Sequence, residues 1–311
     1  MSPRRPLPAK PGTQKGVFRP DNIVEFKPES EQAAGLLEFL TAAMPDRKKT
    51  TVKEFLKHNQ VMVNGTVTTQ FDRPVATGDT VCVNTTREFQ TFYHSRLKIV
   101  YEDDDIIVVN KGYGLLSMST DKIKEGTAYS LLRDYVKRKD PRNKLFIVHR
   151  LDRDTSGLMM FAKTMKAKET MQHNWNNMVL ERRYVAVITK GPLDPAEGEI
   201  RSYLAENAAH EVYSTPDPDK GQLAVTYYRT LRTRGRYSLV ELSLATGRKN
   251  QIRVHMKEAG HPIAGDRRYG APASPIHRLA LHAQTLRFVH PTTRRDMSFS
   301  TPIPSSFEKL S

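Results

Sequence analysis

Between Phe146 and Phe161 the sequence FIVHRLDRDTSGLMMF passes from apolar to densely polar and back to apolar. Short apolar runs bounded by polar residues are the pattern of buried strands. This stretch therefore predicts two buried strands joined by a charged loop, whose side chains a core on either side can aim. The loop carries the carboxylates of Asp152 and Asp154, the guanidiniums of Arg150 and Arg153, the imidazole of His149 and the hydroxyls of Thr155 and Ser156. Read locally, Asp152 fits a turn, a salt bridge or a reactive carboxylate equally well.

The flanking sequence extends the strand pattern. LKIVYEDDDIIVVNK reads as two strands around an acidic turn, RRYVAVITK as another strand, and YSLVELSL as one with Val240, Leu242 and Leu244 on one face. Three amphipathic helices are predicted among them: TAYSLLRDYVKRK, capped by Thr127; MKAKETMQHNWNNM as one continuous helix; and QIRVHMKEAG, ended by Gly260. Strands come in runs with irregularly interspersed helices, so the expected fold class is α+β with a mixed or antiparallel sheet, not a doubly wound parallel one. The carboxylates of Asp103–Asp105 read as a turn, since no partner ligands for a cation follow. His255 and His261 read as loop-orienting or surface groups.

Ahead of this larger unit, assigned to residues 87–311, residues 23–86 read as a small α+β unit. EQAAGLLEFLTAAM and TTVKEFLKHN have helical spacing, the second with Thr50 or Thr51 as cap, and QVMVNGTVTTQ has the alternation and Asn64-Gly65 turn of a hairpin. Cys82 alternates with Val81 and Val83 as a strand residue. Residues 1–22 are rich in Pro, Arg and Lys and predict a flexible basic tail. Lys and Arg number 49 against 34 acidic residues, a net charge of +15. Self-repulsion on that scale is relieved by a polyanion, and a nucleic-acid backbone supplies one. No apolar run reaches the roughly 20 residues of a membrane span, and the N-terminus has no signal-peptide core. A single cysteine excludes an internal disulfide framework. A cytoplasmic, membrane-free protein is the expectation.

Two families share a loop of this kind. The aspartate loop of the haloacid-dehalogenase phosphotransferases, D-x-D-x-[TV], would need threonine one position later than Thr155, and its magnesium would face Arg150 and Arg153. HRLDRDTSGL instead closely resembles the catalytic loop of the RluA-type pseudouridine synthases. LERRYVAVI is similar to that family's second motif, TGRKNQIRVHMKEAGHPIAGDRRYG to its third, and LALHAQTLRFVHP with FSTPIPSSF to its C-terminal close. With YEDDDIIVVNKGYGLL these run in the family's order over residues 97–307. Gly112 stands where the family usually has proline, and Asn250 where it usually has histidine. Residues 23–86 resemble an S-four-like RNA-binding domain, through the helix pair and the V-x-V-N-G hairpin, with Arg47, Lys48, Lys49, Lys53 and Lys57 on its polar side.

The resemblance implies an enzyme that isomerises uridine to pseudouridine in structured RNA. Uracil is detached, turned and rejoined through carbon, so no atom is gained or lost and no cofactor is called for. Asp152 would attack the sugar or stabilise its cation. Arg253 would pair with Asp152 and keep it ionised, Tyr184 would stack on uracil, and Ile252 would line the substrate site. Arg150 would fill the space left by a flipped uridine. The implied partner is large-subunit ribosomal RNA, with transfer RNA as the alternative, and the protein is expected to be a monomer. A catalytically silent RNA-binding or ribosome-assembly protein on the same fold is the reading from another class. Intact Asp152, Tyr184 and Arg253 argue against it.

Overall fold

A computed structural model of the 311-residue chain describes residues 22–29, 34–64, 66–86, 88–89, 92–119, 123–270 and 275–311. Residues 1–21 of the predicted basic tail and Gly65 of the hairpin turn lie outside the described residues. The chain divides into two compact units between Thr91 and Phe92.

In the first unit, β1 (Ile23–Phe26), β3 (Val61–Val63), β4 (Thr66–Val67) and β6 (Val81–Asn84) form an antiparallel sheet in the order β1-β6-β3-β4, and β2 (Ala34–Gly35) pairs with β5 (Pro74–Val75). Helices α1 (Leu36–Ala43) and α2 (Lys49–Lys57) bury Leu36, Leu40, Val52 and Leu56 against Val61, Val63, Val81 and Val83. Strand alternation places those valines on one face. α1 is shorter than its sequence pattern, because Ala34 and Gly35 are extended. Neither Thr50 nor Thr51 caps α2. Lys48 occupies that position, with no side-chain cap.

The second unit is built on one sheet of 11 strands. Its elements are β7 (Leu97–Glu102), β8 (Ile106–Lys111), α3 (Ala128–Lys139), β9 (Phe146–Ile147), β10 (Ser156–Ala162), α4 (Met165–His173) and α5 (Trp175–Met178). There follow β11 (Val179–Thr189), β12 (Glu197–Glu206), β13 (Val212–Thr215), β14 (Gln222–Arg234), β15 (Tyr237–Leu244), α6 (Gln251–Glu258), β16 (Leu281–Val289), β17 (Asp296–Ser300) and α7 (Ser305–Leu310). The sheet order is β13-β12-β14-β15-β11-β16-β10-β8-β7, with β17 beside β16 and β9 beside β10. Every pairing is antiparallel except β10 with β16, so the α+β class expected from the sequence is the one found.

Every residue of β10 is buried, as its unbroken apolar run requires of a strand covered on both faces. α3 starts with a capping box: the Ser130 amide donates to Thr127 Oγ1 (3.1 Å) and the Thr127 amide to Ser130 Oγ (2.9 Å). The helix predicted over MKAKETMQHNWNNM is two helices. At Asn174 the backbone leaves helical geometry (φ −113°, ψ 23°), and α5 restarts at Trp175. Asp103 is a turn carboxylate that accepts the amides of Asp105 and Ile106, both at 2.8 Å. His255 is a correction: it is fully buried and bridges Ser202 (3.0 Å) and Thr226 (2.9 Å), tying α6 to β12 and β14. Among the described residues no helix is long and apolar enough to cross a membrane.

Candidate active site

The polar loop lies between β9 and β10 and is fastened from several sides. Ser117 Oγ donates to the Leu151 carbonyl (2.6 Å) and accepts the Leu151 amide (3.2 Å). Lys111, at the end of β8, is fully buried, and its ammonium donates to the carbonyls of Leu115 (2.8 Å) and Arg153 (3.1 Å). Burial pushes that ammonium down to about 8, against the pull of the Asp152 and Asp154 carboxylates. The Met160 amide donates to His149 Nε2 (3.0 Å), which fixes the imidazole as a neutral acceptor. Burial, helped by the charge of Arg182, drops His149 to about 3.

Where the loop enters β10, Ser156 Oγ meets His282 Nδ1 at 2.8 Å and accepts Arg278 Nη2 at 2.6 Å. A methyl group on Gly157 would sit 2.2 Å from the Ala283 carbonyl oxygen, and its φ is +116°. Only glycine allows β10 to run this close to β16.

A cavity of about 480 Å³ opens beside this loop. Asp152, Tyr184, Arg253, Arg150 and Ile252, the five site residues picked out in the sequence, all line it. The loop's two carboxylates part ways. Asp154 is exposed beside Arg153 (3.8 Å), whereas Asp152 is half-buried at the cavity wall. Among the described residues the Asp152 side chain accepts no hydrogen bond and has no cation within 4.0 Å, so both its oxygens remain available.

Arg253 departs from the implied pairing. Its fork binds Asp266 in bidentate fashion (Nε to Oδ2 2.7 Å, Nη2 to Oδ1 2.8 Å), and its Nη1 donates to Asn250 Oδ1 (2.9 Å). The Asp266 side chain is 0% exposed and the guanidinium lies 4.8 Å from the centre of the Tyr269 ring. A buried arginine needs a carboxylate in hydrogen-bond contact, and Asp266 supplies it where Asp152 does not. Asp152 acts on Arg253 only through its charge. Burial works against the guanidinium's charge, but the contacts with Asp266 and the fields of Asp266 and Asp152 outweigh it. Asn250 is left-handed (φ +55°) at the start of α6, a conformation asparagine tolerates. Its amide also reaches the Tyr269 hydroxyl (3.2 Å).

Tyr184 sits on β11, half-buried between the two apolar clusters on either side of the loop. Burial lifts its phenol to about 12; the charge of Arg182 lowers it and that of Asp152 raises it. Arg150 is exposed at the cavity, and among the described residues its one polar side-chain contact is with the Met118 sulfur at 4.0 Å. Five cationic residues line the cavity (Arg150, Arg182, Arg248, Lys249 and Arg253), against the single carboxylate of Asp152. Such an excess of positive charge suits a polyanion. Lys111, Ser117, Asp266 and Arg182 carry no local sequence signal of their roles, and the sequence reading passed over them. No grouping of three His, Cys, Asp or Glu side chains that could hold a metal occurs among the described residues.

Residues 105–258 match the family model described as RNA pseudouridylate synthase. The chain is 33% identical over 307 residues to the ribosomal large subunit pseudouridine synthase D of Neisseria meningitidis serogroup B, covering 93% of this chain and 81% of that protein. It is 36% identical over 214 residues to the uncharacterized RNA pseudouridine synthase YjbO of Bacillus subtilis, with 69% and 75% covered. Among solved structures, human RNA pseudouridylate synthase domain containing 4 superposes with a TM-score of 0.56 at 24% identity, over 68% of this chain and 90% of that one, a likeness of fold. The fold, the enclosed loop and these similarities agree: the chain belongs to the RNA pseudouridine synthase family of isomerases.

Proposed function

We propose that this protein isomerises uridines of large-subunit ribosomal RNA, with Asp152 as the reacting carboxylate. The observation that carries this reading is the half-buried Asp152, which has no hydrogen-bond or ion partner among the described residues and is the one carboxylate in a cavity lined by five cationic side chains. The ribosomal substrate is taken from the name of the Neisseria relative, which spans most of this chain.

A stacked uridine hides its glycosidic bond and must first leave the helix, at a cost of a few kcal/mol. Arg150, exposed and nearly free of contacts, is the flat cation that would occupy the vacated space. The flipped uracil would lie against Tyr184 and Ile252. Asp152 then meets C1′ as the C1′–N1 bond breaks, either bonding to the sugar or holding its cation. After uracil turns, C5 bonds to C1′, the C5 proton leaves and N1 gains one. Atoms and charge balance without a cofactor.

Residues 23–86, within the first unit, are proposed to act as the S-four-like RNA-binding module. Arg47, Lys48, Lys49, Lys53 and Lys57 are all exposed on and before α2, a polar side suited to phosphates. A monomer in the cytoplasm completes the reading. Mapping pseudouridines across total RNA from cells with and without the protein tests it. Loss of specific sites in large-subunit RNA is expected. Loss confined to transfer RNA would reassign the substrate, and an unchanged map would refute the activity.

A further inference from the structure

Two adjacent arginines on β11 are treated very differently by the fold. Arg183 faces Glu181 and Glu241, the second at 3.4 Å, so its charge is doubly met. Arg182, on the opposite face with Tyr184, points into the catalytic cavity. It has one hydrogen bond, from Nη2 to the Leu244 carbonyl at 3.2 Å, and among the described residues no carboxylate lies within 4.0 Å of it. Its guanidinium lies 5.8 Å from the centre of the Trp175 ring. Behind it, His149 is held neutral by the Met160 amide. Burial disfavours the Arg182 charge, and only the Tyr184 phenol is set against that.

A guanidinium taken out of water costs several kcal/mol unless it is paired, and buried arginines are accordingly paired. Arg182 has five N–H donors and uses one. The surroundings keep the others clear. A methyl group at Gly247 would stand 2.5 Å from Arg182 Nη1, so the TGRK turn approaches the guanidinium at the one residue without a side chain. The missing partner has to come with the ligand. Uracil and ribose are neutral, and the only anion on an RNA nucleotide is its phosphodiester. A planar guanidinium matches two phosphate oxygens at once.

We propose that Arg182, kept clear by Gly247 and backed by Trp175, binds a phosphodiester flanking the flipped uridine. The inference rests on the reading of this cavity as the RNA site. Two neighbours share the task of drawing the backbone in: Arg248, whose Nε donates to the Leu223 carbonyl (3.0 Å), and Lys249, which is met by Glu206 (2.6 Å). Of the three, only Arg182 is half-buried and without an acidic partner among the described residues, whereas Arg248 and Lys249 are exposed.

The test uses the full chain and a stem-loop carrying a mapped target uridine, with a methylphosphonate placed on its 5′ or its 3′ side. Affinity is measured across a salt series for wild type, Arg182→Gln, Arg182→Lys and Gly247→Ala. Neutralising the contacted phosphate should weaken wild-type binding about tenfold, as loss of a charge-assisted contact does. It should not weaken Arg182→Gln further. The salt slope of Arg182→Gln should be shallower by about 0.7, the loss of one single-strand phosphate contact. Arg182→Lys should keep the slope and lose part of the affinity. Gly247→Ala alters no charge, displaces the guanidinium and should reproduce the lost methylphosphonate sensitivity. It carries the test if Arg182→Gln does not fold. Equal methylphosphonate penalties in wild type, Arg182→Gln and Gly247→Ala overturn the inference. So does weaker binding with an unchanged slope, which would place Arg182 on a uracil carbonyl. Pseudouridine formation by wild type on the same stem-loop keeps these outcomes separate from failure of the functional reading. If wild type forms none, reading and inference fall together.

Discussion

Replacing Asp266 by asparagine removes the charge that Arg253 leans on and leaves the side-chain volume unchanged. Asp266 is 0% exposed and takes both Arg253 contacts, at 2.7 and 2.8 Å, together with the Tyr269 amide at 3.1 Å. Removing one partner of a buried ion pair costs about 3–5 kcal/mol, because the other charge stays buried without compensation. Asparagine keeps one oxygen that can still accept a guanidinium N–H, so Asp266→Asn belongs near about 3 kcal/mol and Asp266→Ala near the upper end. For a unit of this size each kcal/mol moves the melting temperature by about 2–4 °C. The expected losses are therefore about 6–12 °C for asparagine and about 10–20 °C for alanine. Calorimetry reads this directly. Single-turnover kinetics at a temperature where both proteins are folded should show a slower chemical step with RNA affinity held, since Arg253 would no longer be fixed beside Asp152. A melting temperature within about 2 °C of wild type, or a loss confined to RNA affinity, would refute the assignment of Asp266 as the group that positions Arg253.

Arg150→Ala should leave thermal stability within about 0.5 kcal/mol of wild type, because the side chain is exposed and its one polar contact among the described residues is with Met118. It should slow base flipping more than initial binding; a fluorescent base analogue beside the target uridine reads both, and equal effects on the two would remove Arg150 from the flipping step. The pH dependence of stability follows from three histidines whose burial lowers them from 6.5 in the unfolded chain, His149 to about 3 and His255 and His282 to about 4. Between these values the unfolded chain binds more protons, so stability is complete above about pH 6.5 and falls as the pH drops toward 4. Melting temperature followed from pH 8 to 4.5 should fall below about pH 6.5, and His282→Asn should make that fall less steep; a flat profile to pH 5 would contradict the buried, neutral assignment.

Much of the site could be read from the sequence because its elements are local. The polar loop between two apolar runs, the alternation of β11 and β15 and the amphipathic α6 each declare themselves within a dozen residues. Longer-range relations left no such trace. Ser156 and His282 are 126 positions apart and meet only because β10 and β16 pair in parallel. Arg253 and Asp266 are separated by a turn that period and spacing do not specify, and a resemblance that pairs Arg253 with Asp152 hides the nearer carboxylate. Arg182 and Arg183 are chemically identical neighbours, and strand alternation alone sends one to Glu181 and Glu241 and the other to the cavity. The break at Asn174 went unseen because the helical spacing of Met171, Trp175 and Met178 continues across it. His255 was misplaced because its partners Ser202 and Thr226 come from distant strands.

The most direct test of the central claim is pseudouridine formation on large-subunit RNA transcripts by purified wild type and Asp152→Asn, with RNA binding measured in parallel. Asp152 has no hydrogen-bond or ion partner among the described residues, so asparagine removes the reacting charge without breaking a contact, and Asp152→Asn should fold and bind as wild type does. Wild type should convert specific uridines and Asp152→Asn none. Residual conversion by Asp152→Asn, at any of the sites wild type modifies, would contradict the role assigned to that carboxylate.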